Sequence, residues 1–175
     1  ATLQNTSVSG GSENDSLVFS AAVFSTSTVA GGADNDTFVF QTSVSGADIS
    51  LGTGNDSVSF VTQVSSATLW GSGGTNTQTV VFSGAADAAT FTGGFGGGFI
   101  SLGAGNDNIT FSGADVTGTT ITGTDNADTI HFVAGANTAF FGSAVGTGAQ
   151  ISFGGSADMA TFTSAIDAAS IYGGG

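Results

Sequence analysis

Seven aspartates recur at a fixed distance from a phenylalanine, and they are the residues best suited to chemistry in this chain. Each Asp is followed four positions later by Phe, and the blocks begin at Asp15, Asp36, Asp56, Asp87, Asp107, Asp128 and Asp158. Asn or Ala precedes each Asp, and glycines lie just upstream. Carboxylate, amide and backbone carbonyl oxygens form the donor set that calcium prefers. The repeated turns are therefore candidate metal sites.

No Lys or Arg is available to balance these acids. The 175 residues contain 13 acidic side chains and one His, so the formal net charge is −13. The carboxylates must repel one another, take up protons or recruit cations from solution. The composition excludes nucleic-acid binding, which needs a cationic surface, and the lack of Cys excludes disulfides and Cys-based zinc sites. No window approaches the roughly 18 apolar residues of a membrane span.

The residues that follow each Asp predict a β-strand. Positions two and four after the Asp are mostly apolar, whereas positions one and three are mostly Ser, Thr, Val or Asn. This period of two is typical of a half-buried strand, and the Gly, Ser and Thr content disfavours helix. A second apolar cluster follows 13 to 15 residues after the Asp, so one coil holds at least two strands and two turns. Stacked coils would pair their strands in parallel, about 4.8 Å apart, which predicts an all-β fold, a parallel β-solenoid.

The spacing of the aspartates predicts the arrangement of the coils. The Asp-to-Asp steps are 21, 20, 31, 20, 21 and 30 residues, which indicates coils of 20–21 residues and a longer coil of about 30 every third turn. We expect the recurrent Phe residues to form one internal ladder, the Asp turns to lie along one edge, and the extra residues near 71–81 and 142–151 to form a hairpin or an extra side. Trp70 and Phe141 match in the higher-order repeat of about 71 residues, which suggests lateral contacts. Residues 1–175 are interpreted as a single repetitive segment of a longer tandem array.

The turns resemble the RTX-type calcium-binding repeat of secreted bacterial proteins, whose pattern is G-G-x-G-x-D-x-U-x with U apolar. The segments 52–58 (Gly-Thr-Gly-Asn-Asp-Ser-Val) and 103–109 (Gly-Ala-Gly-Asn-Asp-Asn-Ile) match it from the second Gly onward. In that family the Asp of one turn and the carbonyls of neighbouring turns share each ion. The resemblance implies calcium (Ca2+) at a set of turn residues, with Asp87 and Asp158 as weaker candidates. The set comprises Asp15, Asp36, Asp56, Asp107 and Asp128, together with Asn14, Asn35, Asn55, Asn106, Asp34 and Asp125.

Other interpretations of these residues stay open. Asp and Asn can serve turn geometry alone, because both form Asx turns and tolerate left-handed backbone. Acid pairs such as Asp34 with Asp36 could suggest a glycosidase, but no basic residue would face an acidic polysaccharide. His131 is predicted to face outward on a strand, and no enzymatic activity is expected. Outward Thr and Ser residues at positions 37, 57, 90, 110, 129 and 161 raise the alternative of an ice- or carbohydrate-binding solenoid.

The sequence as a whole predicts a structural protein outside the cell. We expect a calcium-stabilised solenoid, secreted or at the cell surface, that builds a surface layer, fibre or biofilm matrix and contacts polysaccharide or another cell surface. Self-assembly is expected, through further repeats or through identical subunits end to end. A chain without Lys or Arg offers trypsin-like proteases no site, and one without Cys is insensitive to redox state. The remaining alternative is a metal-free, amyloid-like fibre subunit.

Overall fold

The chain winds as a parallel β-solenoid of about eight coils, described by a computed structural model for residues 2–71, 76–113 and 115–174. It alternates between two sheets, which we name sheet A and sheet B, and each full coil contributes to both. Neighbouring coils pair in parallel, as in β6 with β8 and β13 with β15. The predicted all-β parallel solenoid is therefore confirmed, with two sheets per coil.

The strands have the following bounds. Sheet A contains β1 (Thr2–Leu3), β2 (Ser7–Gly11), β4 (Ala22–Phe24), β5 (Thr28–Ala33), β7 (Val44–Thr53), β9 (Val64–Trp70), β11 (Ala88–Thr92), β13 (Asn108–Phe111), β15 (Thr129–Phe132), β17 (Gln150–Phe153) and β19 (Ser170–Tyr172). Sheet B contains β3 (Ser16–Phe19), β6 (Thr37–Phe40), β8 (Ser57–Phe60), β10 (Thr77–Val81), β12 (Phe95–Ser101), β14 (Val116–Thr122), β16 (Thr138–Phe141) and β18 (Met159–Phe162). The described residues contain no helix long and apolar enough to cross a membrane.

The period-two pattern places the apolar residues between the sheets. In β6, Phe38 and Phe40 are fully buried, while Thr37 faces solvent. In β13, Ile109 and Phe111 are buried in the same alternation. The positions two and four residues after the Asp therefore form the core, as the sequence predicted, and Leu17, Ala160 and Phe162 in the first and last blocks are partly buried against it.

The recurrent Phe residues do not form the single ladder that we predicted. They form separate stacks on the two sheets, and Phe82 meets Phe91 edge to face at 6.3 Å where two of the stacks adjoin. The stacks are Phe19–Phe40–Phe60–Phe82 beside sheet B, Phe91–Phe111–Phe132–Phe153 in sheet A, and Phe141–Phe162 in sheet B. Ring centroids within these stacks lie 4.8 to 5.3 Å apart, which matches the spacing of stacked coils.

The long Asp-to-Asp steps explain why the ladder divides. They add about ten residues, which is half a coil, so the next Asp block begins on the other sheet. After Asp56 the chain forms β8, β9 and β10 before Asp87 opens β11, and after Asp128 it forms β15, β16 and β17 before Asp158 opens β18. Residues 72–75 lie outside the described residues. The rest of the extra segments belongs to regular coils, so the expected hairpin or extra side is wrong.

The same half-coil shift separates Trp70 from Phe141. Trp70 ends β9 in sheet A and is 46% exposed, whereas Phe141 ends β16 in sheet B and is fully buried. Because a 71-residue unit spans three and a half coils, corresponding residues fall on opposite sheets. The prediction that these two residues form matching lateral contacts is therefore wrong.

Candidate metal centre

The repeated aspartates form hydrogen-bonded ladders that tie each coil to the next. Asp36 and Asp107 are 1% and 2% exposed, because each side chain turns inward just before a core strand. The backbone N–H of Asp36 donates to Oδ1 of Asp56 (2.9 Å), and that of Asp107 donates to Oδ1 of Asp128 (2.8 Å). The N–H groups of Asp15 and Asp87 donate in the same way to the next ladder residue. One carboxylate oxygen of each acceptor is thus committed to holding the stack together.

These ladders lie at two different turns of the coil. Asp15, Asp36 and Asp56 precede strands of sheet B, whereas the aspartates at 87, 107 and 128 precede strands of sheet A. Asp158 returns to the first turn, ahead of β18. The expectation that one edge carries all the Asp turns is therefore wrong, and the half-coil shift is the reason. Its electrostatic consequence is that the stacked like charges are divided into shorter groups.

Asn137 is a ladder residue that the sequence analysis missed. It is 1% exposed, its Oδ1 accepts the Val116 N–H (3.1 Å), and its own N–H donates to Asp158 Oδ1 (2.9 Å). Its Nδ2 group donates to the carbonyls of Ala134 (3.3 Å) and Gly135 (3.1 Å). The spacing from Asn137 to Phe141 repeats the Asp-to-Phe interval and could have identified it.

Gln78 is a second missed residue of the same kind. It precedes Phe82 by the same four positions and is fully buried. The strand register aligns Gln78 with Asp56, because Ser57 pairs with Thr79. The sequence pattern was defined by Asp alone, so it did not include Gln78 or Asn137.

The second carboxylate oxygen of most ladder aspartates is buried. Among the described residues it has no hydrogen-bond partner in the set Asp15, Asp36, Asp56, Asp107, Asp128 and Asp158. Asp87 differs, because its Oδ2 accepts the Ser83 hydroxyl (3.0 Å). Buried carboxylates without a donor or cation are costly, so these oxygens call for a proton, a water or an ion.

Burial also changes the acidity of the ladder. Desolvation is the largest effect on Asp56, Asp87, Asp107 and Asp128, and it raises the pKa of each above its ordinary value. The pKa of Asp107 rises to about 7, because desolvation and the charges of Asp128 and Asp87 outweigh the backbone hydrogen bond from Asp87. The charged form of these groups is therefore poorly stabilised by the protein alone.

Glycine creates the space that these oxygens face. A Cβ at Gly31 would overlap the Asp36 carboxylate and lie 2.6 Å from the Leu51 carbonyl oxygen. A Cβ at Gly10 would meet the Asp15 carboxylate in the same way. An unpartnered carboxylate oxygen thus lies near a backbone carbonyl, which fits the oxygen chemistry of calcium. The described residues contain no group of three or more His, Cys, Asp or Glu side chains around one point, so an ion here would draw further ligands from carbonyls and water.

The remaining predicted ligands lie at the exposed surface of the turns. Asn14, Asn35 and Asn55 form a second ladder of opposite polarity, in which Asn35 N–H donates to Asn14 Oδ1 (2.9 Å) and Asn55 N–H to Asn35 Oδ1 (2.7 Å). Asp34 has a left-handed backbone (φ 70°) and accepts the Glu13 N–H at 3.3 Å. Asn106 and Asp125 are exposed as well. The structure therefore brings the inner aspartates together with backbone and leaves these outer residues to solvent.

The hydroxyl residues considered for ice binding do not share one surface. Thr37, Ser57 and Thr161 belong to sheet B, whereas the threonines at 90, 110 and 129 belong to sheet A. The sheet B row is also interrupted by Phe99 and Phe140. His131 faces outward, as predicted, between Thr110 and Ser152.

The function of this chain is inferred from its fold and from the geometry of the turns. No family model, no curated protein and no solved structure matches this chain. The chain is therefore described by its architecture, a two-sheet parallel β-solenoid with buried aspartate ladders at both turns.

Proposed function

We propose that this chain is a structural protein of a bacterial surface layer, fibre or biofilm matrix, in which a calcium-stabilised solenoid serves as a rigid rod outside the cell. One observation carries the proposal: the residues that recur face inward and join coil to coil. The ladder aspartates bond successive turns, and the Phe residues stack between the sheets. A repeat whose recurring Asp and Phe side chains serve internal cohesion favours a mechanical role, and the proposal includes no enzymatic activity.

The energetics of the repeat support a rod. Each backbone N–H bond to a ladder side-chain oxygen contributes on the order of 0.5–1.5 kcal/mol, the range for an uncharged acceptor. Each fully buried Phe contributes roughly 1.5–3 kcal/mol. These contributions recur with every coil, so stability grows with the number of coils.

Calcium would complete the ladders. Asp15, Asp36 and Asp56 would hold it at one turn, and Asp107 and Asp128 at the other, together with nearby turn carbonyls. When bound, the ion supplies the positive charge that the chain itself lacks. Support comes from the unpartnered Oδ2 atoms and from the resemblance of the turns to RTX-type repeats.

Composition supports a location outside the cell. The chain has no Lys or Arg for trypsin-like proteases to cut and no Cys to respond to redox state. These properties suit a protein exposed to secreted proteases and oxidants.

Thermal unfolding in EDTA and in calcium tests the proposal. At a calcium concentration of about 100 times Kd, binding to the native state adds about 2.7 kcal/mol, which raises Tm by roughly 5–10 °C for a chain of this size. Magnesium at equal ionic strength is the control, and Asp36→Asn should lose more of the response than the exposed Asp34→Asn. Electron microscopy of the same samples should show calcium-dependent assemblies.

The outcomes separate the alternatives. Identical melting in EDTA and calcium, with assemblies unchanged, would reject calcium and favour the metal-free fibre. Dispersed single rods in every condition would reject the assembly role even if calcium binds.

A further inference from the structure

Two residues that break the repeat lie close together on the outer face of sheet A. Among the described residues, Asp48 is the one acid that lies within a strand, and it faces outward on β7. Trp70 is the single Trp of the chain and ends the neighbouring strand β9. The register pairs Asp48 with Thr68 and Ser50 with Trp70. Asp48 and Trp70 are therefore diagonal neighbours, with Cα atoms roughly 8 Å apart.

The exposure of Trp70 sets it apart from the Phe ladders. Its side chain is 46% exposed, and it lies between the short side chains of Ser50 and Thr92 in the middle of the sheet. A large aromatic ring among small hydroxyl residues offers a planar apolar platform to a partner.

A depression lies in the same sheet, on the strands β9, β11 and β13. It has a volume of about 120 Å³, and its lining is mainly hydroxyl, amide and methyl groups. Ala88 contributes only a methyl group there, next to Asn108 on the adjacent strand. The lining residues are Ser66, Ala67, Ala88, Ala89, Thr90, Asn108 and Thr110. Thr90 and Thr110 of the depression share one outer row with Thr68 and Asp48, and Trp70 lies in the adjacent outer row between Ser50 and Thr92.

We propose that this face of sheet A binds a neutral, unbranched oligosaccharide. Trp70 stacks against the apolar face of one sugar ring, and the Asp48 carboxylate accepts hydrogen bonds from its hydroxyls. Asn108 and the threonines of the depression hydrogen-bond the adjoining sugar. The site goes beyond the structural role, and either can fail without the other.

Charge determines which occupant fits. With no Lys or Arg and a net charge of −13, the chain offers an acidic glycan no positively charged side chain to pair with. A neutral polyhydroxyl ligand carries no such penalty, and it can donate to both the carboxylate and the amide oxygen on this face. These considerations favour a neutral glycan over an anionic one.

The single Trp gives a direct assay. Cellohexaose, laminarihexaose and maltohexaose are titrated into the full chain while Trp70 fluorescence is recorded, with an oligogalacturonate as the anionic comparison. We expect a saturable change with at least one neutral probe and none with the anionic one. Asp48→Asn should weaken binding about tenfold, since a hydrogen bond to a charged acceptor is lost. Asp167→Asn, an exposed acid elsewhere, should leave it unchanged.

Calorimetry extends the test to a variant without the fluorophore. Trp70→Ala should retain the circular dichroism of the parent chain and lose measurable binding. The proposal is overturned if no neutral probe changes the fluorescence, or if Trp70→Ala binds as well as the parent. It is also overturned if the emission shifts with protein concentration alone, because a second copy then covers the face.

Discussion

Replacing Asp107 with Asn should stabilise the solenoid at neutral pH when divalent cations are absent. Oδ1 of Asp107 accepts the Asp87 N–H at 2.7 Å, and an amide oxygen can accept the same bond. Asn137 already occupies an equivalent ladder position with its Oδ1 as acceptor and its Nδ2 bonded to turn carbonyls. The geometry thus accommodates the amide, and the substitution removes a buried carboxylate whose Oδ2 is unpartnered among the described residues.

The magnitude follows from the pKa of Asp107, which burial raises from 3.8 to about 7. The pKa of Asp107 is higher in the folded chain than in the unfolded chain. Its contribution to the free energy of unfolding is therefore fully present below pH 3.8 and is lost as the pH rises through about 7. Between about pH 5 and pH 8 the free energy of unfolding falls by at most about 2.5 kcal/mol on account of this group. Access of water to the turn reduces this fall to about 1–2.5 kcal/mol. That corresponds to a fall in Tm of roughly 2–10 °C in the parent chain.

Thermal melts of the parent and Asp107→Asn in EDTA, recorded across this pH range, measure the effect. The variant should melt higher than the parent at the alkaline end and show a smaller pH dependence, while Asp167→Asn should follow the parent. Calcium should reduce the difference in Tm between the parent and Asp107→Asn, because it stabilises the ionised parent and not the variant. A variant that is less stable than the parent at the alkaline end would refute the reasoning, since the carboxylate would then be ionised and well stabilised without a cation.

Two further predictions concern the core and the turns. Phe40→Ala should cost about 3–5 kcal/mol, because the ring is fully buried between two stacked neighbours, whereas Trp70→Ala should cost roughly 1–2 kcal/mol, because Trp70 is 46% exposed; urea unfolding distinguishes them. Gly31→Ala should lower Tm, because the new methyl group meets the Asp36 carboxylate, and Gly84→Ala should not, because nothing lies within 4 Å of its Cβ position. Equal effects within either pair would contradict the placement of these residues.

The class of fold could be predicted because its signal is local. The alternation in Asp36-Thr-Phe-Val-Phe40 specifies a strand and its buried face without reference to the rest of the chain. The steps of 20 and 21 residues then specify a stack, since a strand that recurs at this interval can bury its inner face only against its neighbours. The prediction succeeded where each coil repeats the last.

The position of each turn could not be predicted because it depends on a count of half coils. A step of 31 residues reads equally well as one coil with an insertion or as one and a half regular coils. The hydrogen bond from Val64 N–H to Asp87 Oδ1 (2.6 Å) decides between them. Val64 begins β9 in sheet A, so this bond places Asp87 at the turn that leads into sheet A, whereas the sequence analysis expected it at the turn that leads into sheet B. Val64 and Asp87 share no residue type, so the spacing of the aspartates alone does not predict this pairing between coils.

The amide residues within the ladders bear on why the other positions are acidic. Asn137 satisfies the same backbone donor as an aspartate and adds bonds from Nδ2, so the hydrogen-bond ladder alone does not require a carboxylate. Asp36 and Asp107 instead bury an oxygen that no described residue contacts by hydrogen bonding. A carboxylate in that position costs stability unless a proton or a cation accompanies it. Turn geometry by itself would favour Asn, so the acidic ladders support the proposal that cations supplied from outside the chain stabilise the solenoid.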